Sequence, residues 1–465
     1  PAGGGSPCVS RGNTTGAGTS DIAEEDRGGA ISIDDGSFAA EHDLGAGPIL
    51  SVTGAIFENN STEDQWGGAL YLHDVETEFT DCTFTGNNAT IGGAIRCYRK
   101  TTTLTNCDFT DNFARANLDD TWGFGGAISS DESSIHATNC TFRANDAQAG
   151  SGGGVYLTEA DHSFTDCEFQ SNTAHVSGGA IYLNQSTVQF LDCAIGSLDD
   201  PADGNIANSE FGGGLFLMRS LVEMTDCEIA NNVATNSTGC AYGGGFFAQD
   251  CLAADGRGLS LLNCMVEENQ ACLGGGAFLD GVVMTATSTT FIENSAIGSD
   301  GSAINGSLLG TDGPPTEITL TNCTVTGNQA TGSHALYIAS GNLLAIESST
   351  ICDNTDTTGT PQDSIHGAWT DLGDNCISIV CDSDGDSTPD CNDGCPDDPN
   401  KTEPGVCGCG TPDTDSDSDG TPDCNDLCPN DPDKVEPGVC GCGIADTDSD
   451  ADGTPDCNDL CPNDP

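Results

Sequence analysis

Asp415, Asp417, Asp419, Gly420, Asp423 and Asp426 occupy positions 1, 3, 5, 6, 9 and 12 of one short stretch. That spacing wraps oxygen ligands around a single cation, and the glycine permits the tight bend, so the chemistry it offers is calcium binding. The pattern returns with a period of 33 residues, the interval from Cys391 to Cys424 and from Cys424 to Cys457. Asp448, Asp450, Asp452, Gly453, Asp456 and Asp459 repeat it, while Asp382, Asp384, Asp386, Asp390 and Asp393 keep the carboxylates one period earlier, with Ser387 in the glycine's place. Carboxylates this close repel one another, so Ca²⁺ would supply much of the folding free energy of the segment. Position 12 is Asp rather than a bidentate Glu, which implies a dissociation constant of roughly 10⁻⁴ to 10⁻³ M.

From Asp382 to Pro465 the chain carries twenty-four carboxylates, two lysines, many prolines and almost no large apolar residues. Burial cannot fold such a segment. The pairs Cys391/Cys395, Cys407/Cys409, Cys424/Cys428 and Cys440/Cys442 have zinc-like spacings. The surrounding carboxylates and the Pro-Asn-Asp-Pro runs argue instead for oxygen chemistry. Together the Asp loops and cysteines resemble thrombospondin type 3 repeats, in which calcium and disulfides replace a hydrophobic core. The resemblance implies that the Asp residues named above are calcium ligands and that the cysteines pair, in a connectivity the sequence leaves open.

Catalytic chemistry is the competing reading. A polysaccharide lyase needs a base beside a uronic acid, and the basic cluster on offer is Arg96, Arg99 and Lys100. A glycoside hydrolase needs two carboxylates and aromatic platforms. Asp119, Asp120 and Trp122 in one long loop, with Asp199, Asp200 and Asp203 two insertions later, are the candidates for ligand-facing loops. There is no Ser-His-Asp arrangement, phosphate loop or His-rich metal motif, and His73, His136, His162 and His334 read as surface residues. No catalytic residue is assigned.

The elements that must position these groups follow from a ruler. Gly67, Gly92, Gly125, Gly152, Gly178 and Gly212 each open a Gly-Gly pair and are followed fifteen residues later by Cys82, Cys107, Cys140, Cys167, Cys193 and Cys227. Between them, apolar residues two apart mark three short strands per unit, each with one buried face. Asp or Asn at 81, 106, 139, 166, 226 and 322 suits a sharp corner. An apolar-x-x-Asn corner closes the third strand at Asn60, Asn87, Asn112, Asn145, Asn172, Asn232, Asn294 and Asn328, where stacked amides can bond coil to coil. The fold class this predicts is all-β: a right-handed parallel β-helix of about a dozen coils over residues 1–381, then a calcium- and disulfide-stabilised repeat tail of low secondary structure over 382–465. Gly-Gly-Ala-Ile paired with Phe-x-x-Asn resembles the repeat of polymorphic outer-membrane proteins, which implies a β-helical adhesin.

The cysteines of the ruler, with Cys264 and Cys323, should point inward as small core residues without bonding, Thr289 and Ala55 taking that place in other coils. Cys240, Cys251 and Cys272 lie outside the ladder, and a bridge among them is expected. Cys8 with Asn13 reads as the end of a coil whose first half is missing, and Asn375-Cys376 as one more corner. Pro1–Ser6 lacks the pattern of a leader and Pro465 falls inside a repeat, which reads as a processed or partial chain.

Seventy-three Asp plus Glu against eleven Lys plus Arg give a net charge of −62. Such a surface repels nucleic acid and anionic membranes and favours divalent cations. No apolar run reaches the length of a membrane span, so direct insertion is not expected. The reading is a secreted or cell-surface structural or adhesive protein, with calcium as cofactor and with surface glycans or neighbouring copies of itself as partners. The alternatives are a β-helical lyase or glycoside hydrolase, and a subunit of a fibre assembled by end-to-end stacking.

Overall fold

One turn of the chain shows how its sequence bends. After the glycines at 152–154, Val155–Thr158, Asp161–Thr165 and Glu168–Gln170 are strands, and Thr173–Ala174 is a fourth. Each change of direction is made by a single left-handed residue: Glu159 (φ +57°), Asp166 (+51°), Ser171 (+54°) and, opening the next turn, Gly178 (+66°). Short polar residues tolerate that conformation and glycine adopts it freely, so the corners are where Asp, Asn, Ser and Gly recur. Equivalent strands of successive coils pair in parallel and in register, as in Val155↔Ile181, Phe164↔Phe190 and Phe169↔Ile195.

The computed structural model describes residues 13–14, 31–34, 49–62, 66–116, 123–197, 200–237, 239–252, 258–298, 300–309, 314–332 and 334–464. Among these, the strands form four sheets of 13, 12, 10 and 12 strands, wound as a parallel solenoid. The chain divides into two compact units, Pro1–Ile379 and Val380–Pro465. Three strands per coil are thus one too few. The fourth has two residues, as in Asn88–Ala89 and Gln329–Ala330, too short for alternation to reveal it. Its mark is the Asn-x-Ala that follows each corner, whose alanines 89, 114, 147, 174, 207, 271, 296 and 330 are fully buried.

The glycine pair has two different jobs. The first glycine, from Gly67 to Gly274, supplies φ near +65 to +71°. The second has ordinary torsions but lies against the next coil: a Cβ on Gly179 would sit 2.1 Å from the Gly213 carbonyl oxygen and 2.6 Å from the Ile206 nitrogen.

Inside, Phe57, Phe84, Phe109, Phe142 and Phe169 stack with ring centroids 4.6–4.9 Å apart and planes within 4°. The cysteines of the ladder are buried and unbonded, with Thr289 and Ala55 buried in the same column. They do more than fill space. Each thiol donates to the carbonyl two residues back, at 3.2–3.4 Å, from Cys82–Thr80 to Cys323–Thr321. The hydroxyls of Thr289 and Ser349 do the same. The column therefore selects a small donor that satisfies the carbonyl preceding the left-handed corner.

Several expectations change. Cys240 is bonded to Cys272, as a bridge in that group requires, and Cys251 is left as a free thiol buried in the core. Cys8 lies outside the described residues, and Asn13–Thr14 pairs antiparallel with Ile49–Thr53, so it does not continue the parallel winding. Asn375 takes the cysteine place, accepting from the Ser349 nitrogen, ahead of a last strand at Cys376–Ile377. On the outer face, Phe216, Phe247 and Phe278 are buried under Phe211, Tyr242 and Leu273, a satellite cluster that strict alternation does not anticipate.

Of the four histidines read as surface residues, His73 (5% exposed) and His162 (3%) are buried. His136 bonds Ser163 through Nδ1, and His334 pairs with Asp300 at 2.8 Å. His162 Nδ1 accepts the Ile135 N–H, while its Nε2 has no partner. Burial, with a smaller push from His136, lowers its pKa to about 3. The folded state must keep it neutral, whereas the unfolded chain takes up a proton below about pH 6.5. Its contribution is therefore intact above pH 6.5 and drains by about 1.4 kcal/mol per pH unit until the folded pKa is reached. His162→Val, matching its neighbour Val188, is expected to unfold at the same denaturant concentration at pH 5 and pH 7 more nearly than the parent, with about 2 kcal/mol separating the two pH responses. Parallel pH responses in denaturant titrations would contradict this.

Candidate metal centre

In the second unit the carboxylates do the work of a core. Asp382 Oδ1 and Oδ2 accept the N–H groups of Gly385 and Ser387, Asp384 accepts from Asp386, and Asp386 from Thr388. The same bonds recur from Asp415 to Ser418 and Gly420, from Asp417 to Asp419 and from Asp419 to Thr421. They recur again at Asp448, Asp450 and Asp452. Every Asp thus folds the backbone just ahead of it, which turns three side chains toward one centre. One oxygen from each member of 382/384/386, 415/417/419 and 448/450/452 lies within 4.8 Å of the others. These triplets could hold a metal ion.

Two left-handed residues shape each loop: Gly385 and Ser387, Ser418 and Gly420, Ala451 and Gly453. Ser387, which breaks the glycine pattern of the first copy, still adopts φ +77°. The glycine there sits two places earlier, so the bend survives the substitution.

The strongest sign of a missing partner is electrostatic. Asp384, Asp417 and Asp450 each keep an Oδ2 that is buried without a hydrogen bond, and so do Asp393, Asp426 and Asp459. Asp393 and Asp426 are more than nine-tenths buried. Desolvation raises the Asp384 carboxyl above its usual range, and the charges of Asp386, Asp393 and Asp382 add to the rise. Asp417 and Asp450 behave alike, through Asp419 and Asp426 and through Asp452, Asp459 and Asp448. A buried anionic oxygen without a donor is costly. Positions 1, 3, 5 and 12 therefore form an all-oxygen set suited to a hard divalent cation.

Position 9 is different. Asp390 accepts both the N–H and the hydroxyl of Ser383, Asp423 those of Ser416, and Asp456 those of Ser449. These bonds hold Asp423 and Asp456 below the usual carboxylate range. They tie the start of each loop to its end, where spacing alone suggests ligands. Around the loops the disulfides include Cys395–Cys409, Cys407–Cys424, Cys428–Cys442 and Cys440–Cys457. Each Cys-Gly-Cys thus bonds once backward and once forward, so successive periods are stapled into one strip.

Asp119, Asp120, Trp122 and Asp199 lie outside the described residues. Asp200 caps the single turn Pro201–Asp203, and Asp203 accepts from Arg143 and Ser171. Arg96 bonds Ser129 and Asp131. Arg99 lies between Asp74 and Glu132 and over the Tyr98 ring. Both guanidiniums are engaged as structural cations, and a guanidinium is a poor proton acceptor.

Parallel sheets wound coil upon coil, with glycine pairs and amide corners in register, define a solenoid protein. The chain belongs to the family described as right handed beta helix region, whose model matches residues 26–195 and, in a second overlapping placement, 126–351. No curated protein and no solved structure matches it. Among the described residues no helix is long and apolar enough to cross a membrane.

Proposed function

We propose that the protein is a structural or adhesive component of the cell exterior, in which a β-helix displays corner loops and a calcium-organised repeat segment over residues 382–465 acts as its stalk. The observation that carries the reading is the threefold recurrence of orphaned, buried carboxylate oxygens at positions 3 and 12, in a segment cross-linked by disulfides. Disulfides at that density belong to an oxidising compartment, where free calcium is near the millimolar affinity of such loops. The thrombospondin type 3 resemblance implies the ligands Asp382, Asp384, Asp386, Asp390 and Asp393 and their equivalents one and two periods on; of these Asp390, Asp423 and Asp456 already accept from serines. Surface glycans and further copies of the chain are the partners this reading offers.

Titration calorimetry on the full chain should register three calcium ions with dissociation constants of roughly 0.1–1 mM. A chelator should expose the loops 382–393, 415–426 and 448–459 to protease and leave the β-helix resistant. Asp417→Asn with Asp426→Asn should remove one ion. Equal resistance of the loops with and without chelator, or an unchanged ion count in the double variant, would refute the proposal.

A further inference from the structure

The second unit contains two cations of its own. Lys401 Nζ donates to the carbonyl oxygens of Pro404 (3.2 Å) and Gly408 (2.9 Å) and lies 3.1 Å from Asp413 Oδ1. One period later, Lys434 Nζ meets Pro437 (3.4 Å), Gly441 (3.0 Å) and Asp446 (3.1 Å). The side chains are only 11% and 12% exposed. An ammonium has three donors, and each finds three oxygens, one of them anionic. Lysine is seldom buried this far unless fully paired.

No oxygen of these cages belongs to the Asp triplets, although the Cys407–Cys424 and Cys440–Cys457 disulfides tie each cage's backbone to the loop that follows. Asp413 also accepts the N–H groups of Cys407 and Val406, and Asp446 that of Cys440. Those bonds, Cys407 first, together with Lys401, keep the Asp413 carboxyl below its usual range. The backbone of each Cys-Gly-Cys segment is therefore gathered around a lysine and its aspartate. Asp398 and Asp431 complete it by accepting from Gly410 and Gly443.

We infer that Lys401 and Lys434 act as resident cations, filling one oxygen cage in each period so that its Cys-Gly-Cys half holds its fold without an added ion while the Asp half depends on one. The second clause rests on the calcium reading; the first does not. The period would then be a strip of alternating ion-independent and ion-dependent segments. Ion loss would loosen it at defined joints and would not melt it as a whole.

Amide hydrogen exchange on the full chain separates the two halves, with Cys407 and Cys440 reporting the lysine cages and Gly385, Gly420 and Gly453 the Asp loops. Adding chelator should speed exchange at the three glycines about tenfold or more and at the two cysteines less than about twofold. Lys401→Met should speed exchange at Cys407 about tenfold whether calcium is present or absent, and Lys434→Met should do the same at Cys440. The number of calcium ions bound should stay the same or rise by one per lysine removed, because the vacated cage keeps its three oxygens. The inference is overturned if Cys407 and Cys440 lose protection together with the glycines on chelation, if the variants leave them protected, or if a variant binds fewer ions. Should calcium fail to bind at all, the reading above falls by itself, and the variants compared without calcium still decide the role of the lysines.

Discussion

Gly179→Ala is expected to destabilise the β-helix by more than about 4 kcal/mol, despite adding a single methyl group. Its Cβ would meet the Gly213 oxygen at 2.1 Å, the Ile206 nitrogen at 2.6 Å and the Ile206 carbonyl carbon at 2.7 Å. All three are backbone atoms of the neighbouring coil, held by the parallel ladder, so no side chain can swing aside. The coils would have to separate locally, breaking hydrogen bonds such as Gly179 N–H to the Gly212 oxygen. The control is Ser302, which occupies the second-glycine place in a later coil and is fully buried. In the coil after it His334 takes the second-glycine place, and Ser302 N–H bonds the His334 oxygen. Ser302 Oγ has no partner, so Ser302→Ala should change stability by less than about 1 kcal/mol. Denaturant unfolding of the two variants checks the contrast; similar midpoints would show that the close approach is not what the glycine serves.

Asn172→Ala should cost about 4–6 kcal/mol, the sum for three buried groups that each lose a partner. Asn172 Nδ2 donates to the Phe142 oxygen at 2.8 Å and to Asn205 Oδ1 at 2.9 Å, while its Oδ1 accepts from Asn145 N and Nδ2 at 3.1 and 3.0 Å. Truncation takes the side-chain partner from the Phe142 oxygen, from the Asn145 N–H and from one Nδ2 hydrogen of Asn145, whose other hydrogen keeps the Phe109 oxygen, while Asn205 Oδ1 keeps the Asn172 N–H. The same chain of amides runs from Asn60 through Asn87, Asn112, Asn145, Asn172, Asn205, Asn232, Asn269, Asn294 and Asn328 to Asn354. A carboxylate of the same shape would be no remedy, because in Asn172→Asp the oxygen that replaces Nδ2 would face the Phe142 oxygen and Asn205 Oδ1. Both variants should unfold at clearly lower denaturant, and an Asp variant as stable as the parent would argue against the amide ladder as a source of stability.

The ladder also shows where sequence reading stops. Asn205 belongs to it with every other corner asparagine, yet spacing does not point to it. At Asn205 the insertion 197–204 separates the third strand from its corner, so the apolar-x-x-Asn signal is lost while the coil-to-coil bond is kept. The two-residue fourth strand escapes for a related reason: it exists only as pairing between coils. His162 could not be placed inward from its type, since a polar ring in an apolar column is tolerated only because the Ile135 N–H lies beside it. In the second unit, the aspartate spacing points to the triplets that could hold a metal ion, but it does not show that Ser383, Ser416 and Ser449 bond the carboxylates at position 9.

The sequence by itself determined the winding: glycine pairs, left-handed Asx corners, inward cysteines and corner asparagines recur because every coil must solve the same steric and hydrogen-bonding problem against an identical neighbour. It likewise determined the 33-residue period of carboxylates and cysteines. Only the tertiary structure decided which cysteine bonds which, which aspartates keep an unpartnered oxygen and which lysines are enclosed by oxygens. Those outcomes depend on distances between groups of the same type at equivalent spacings, and composition and interval cannot distinguish among them.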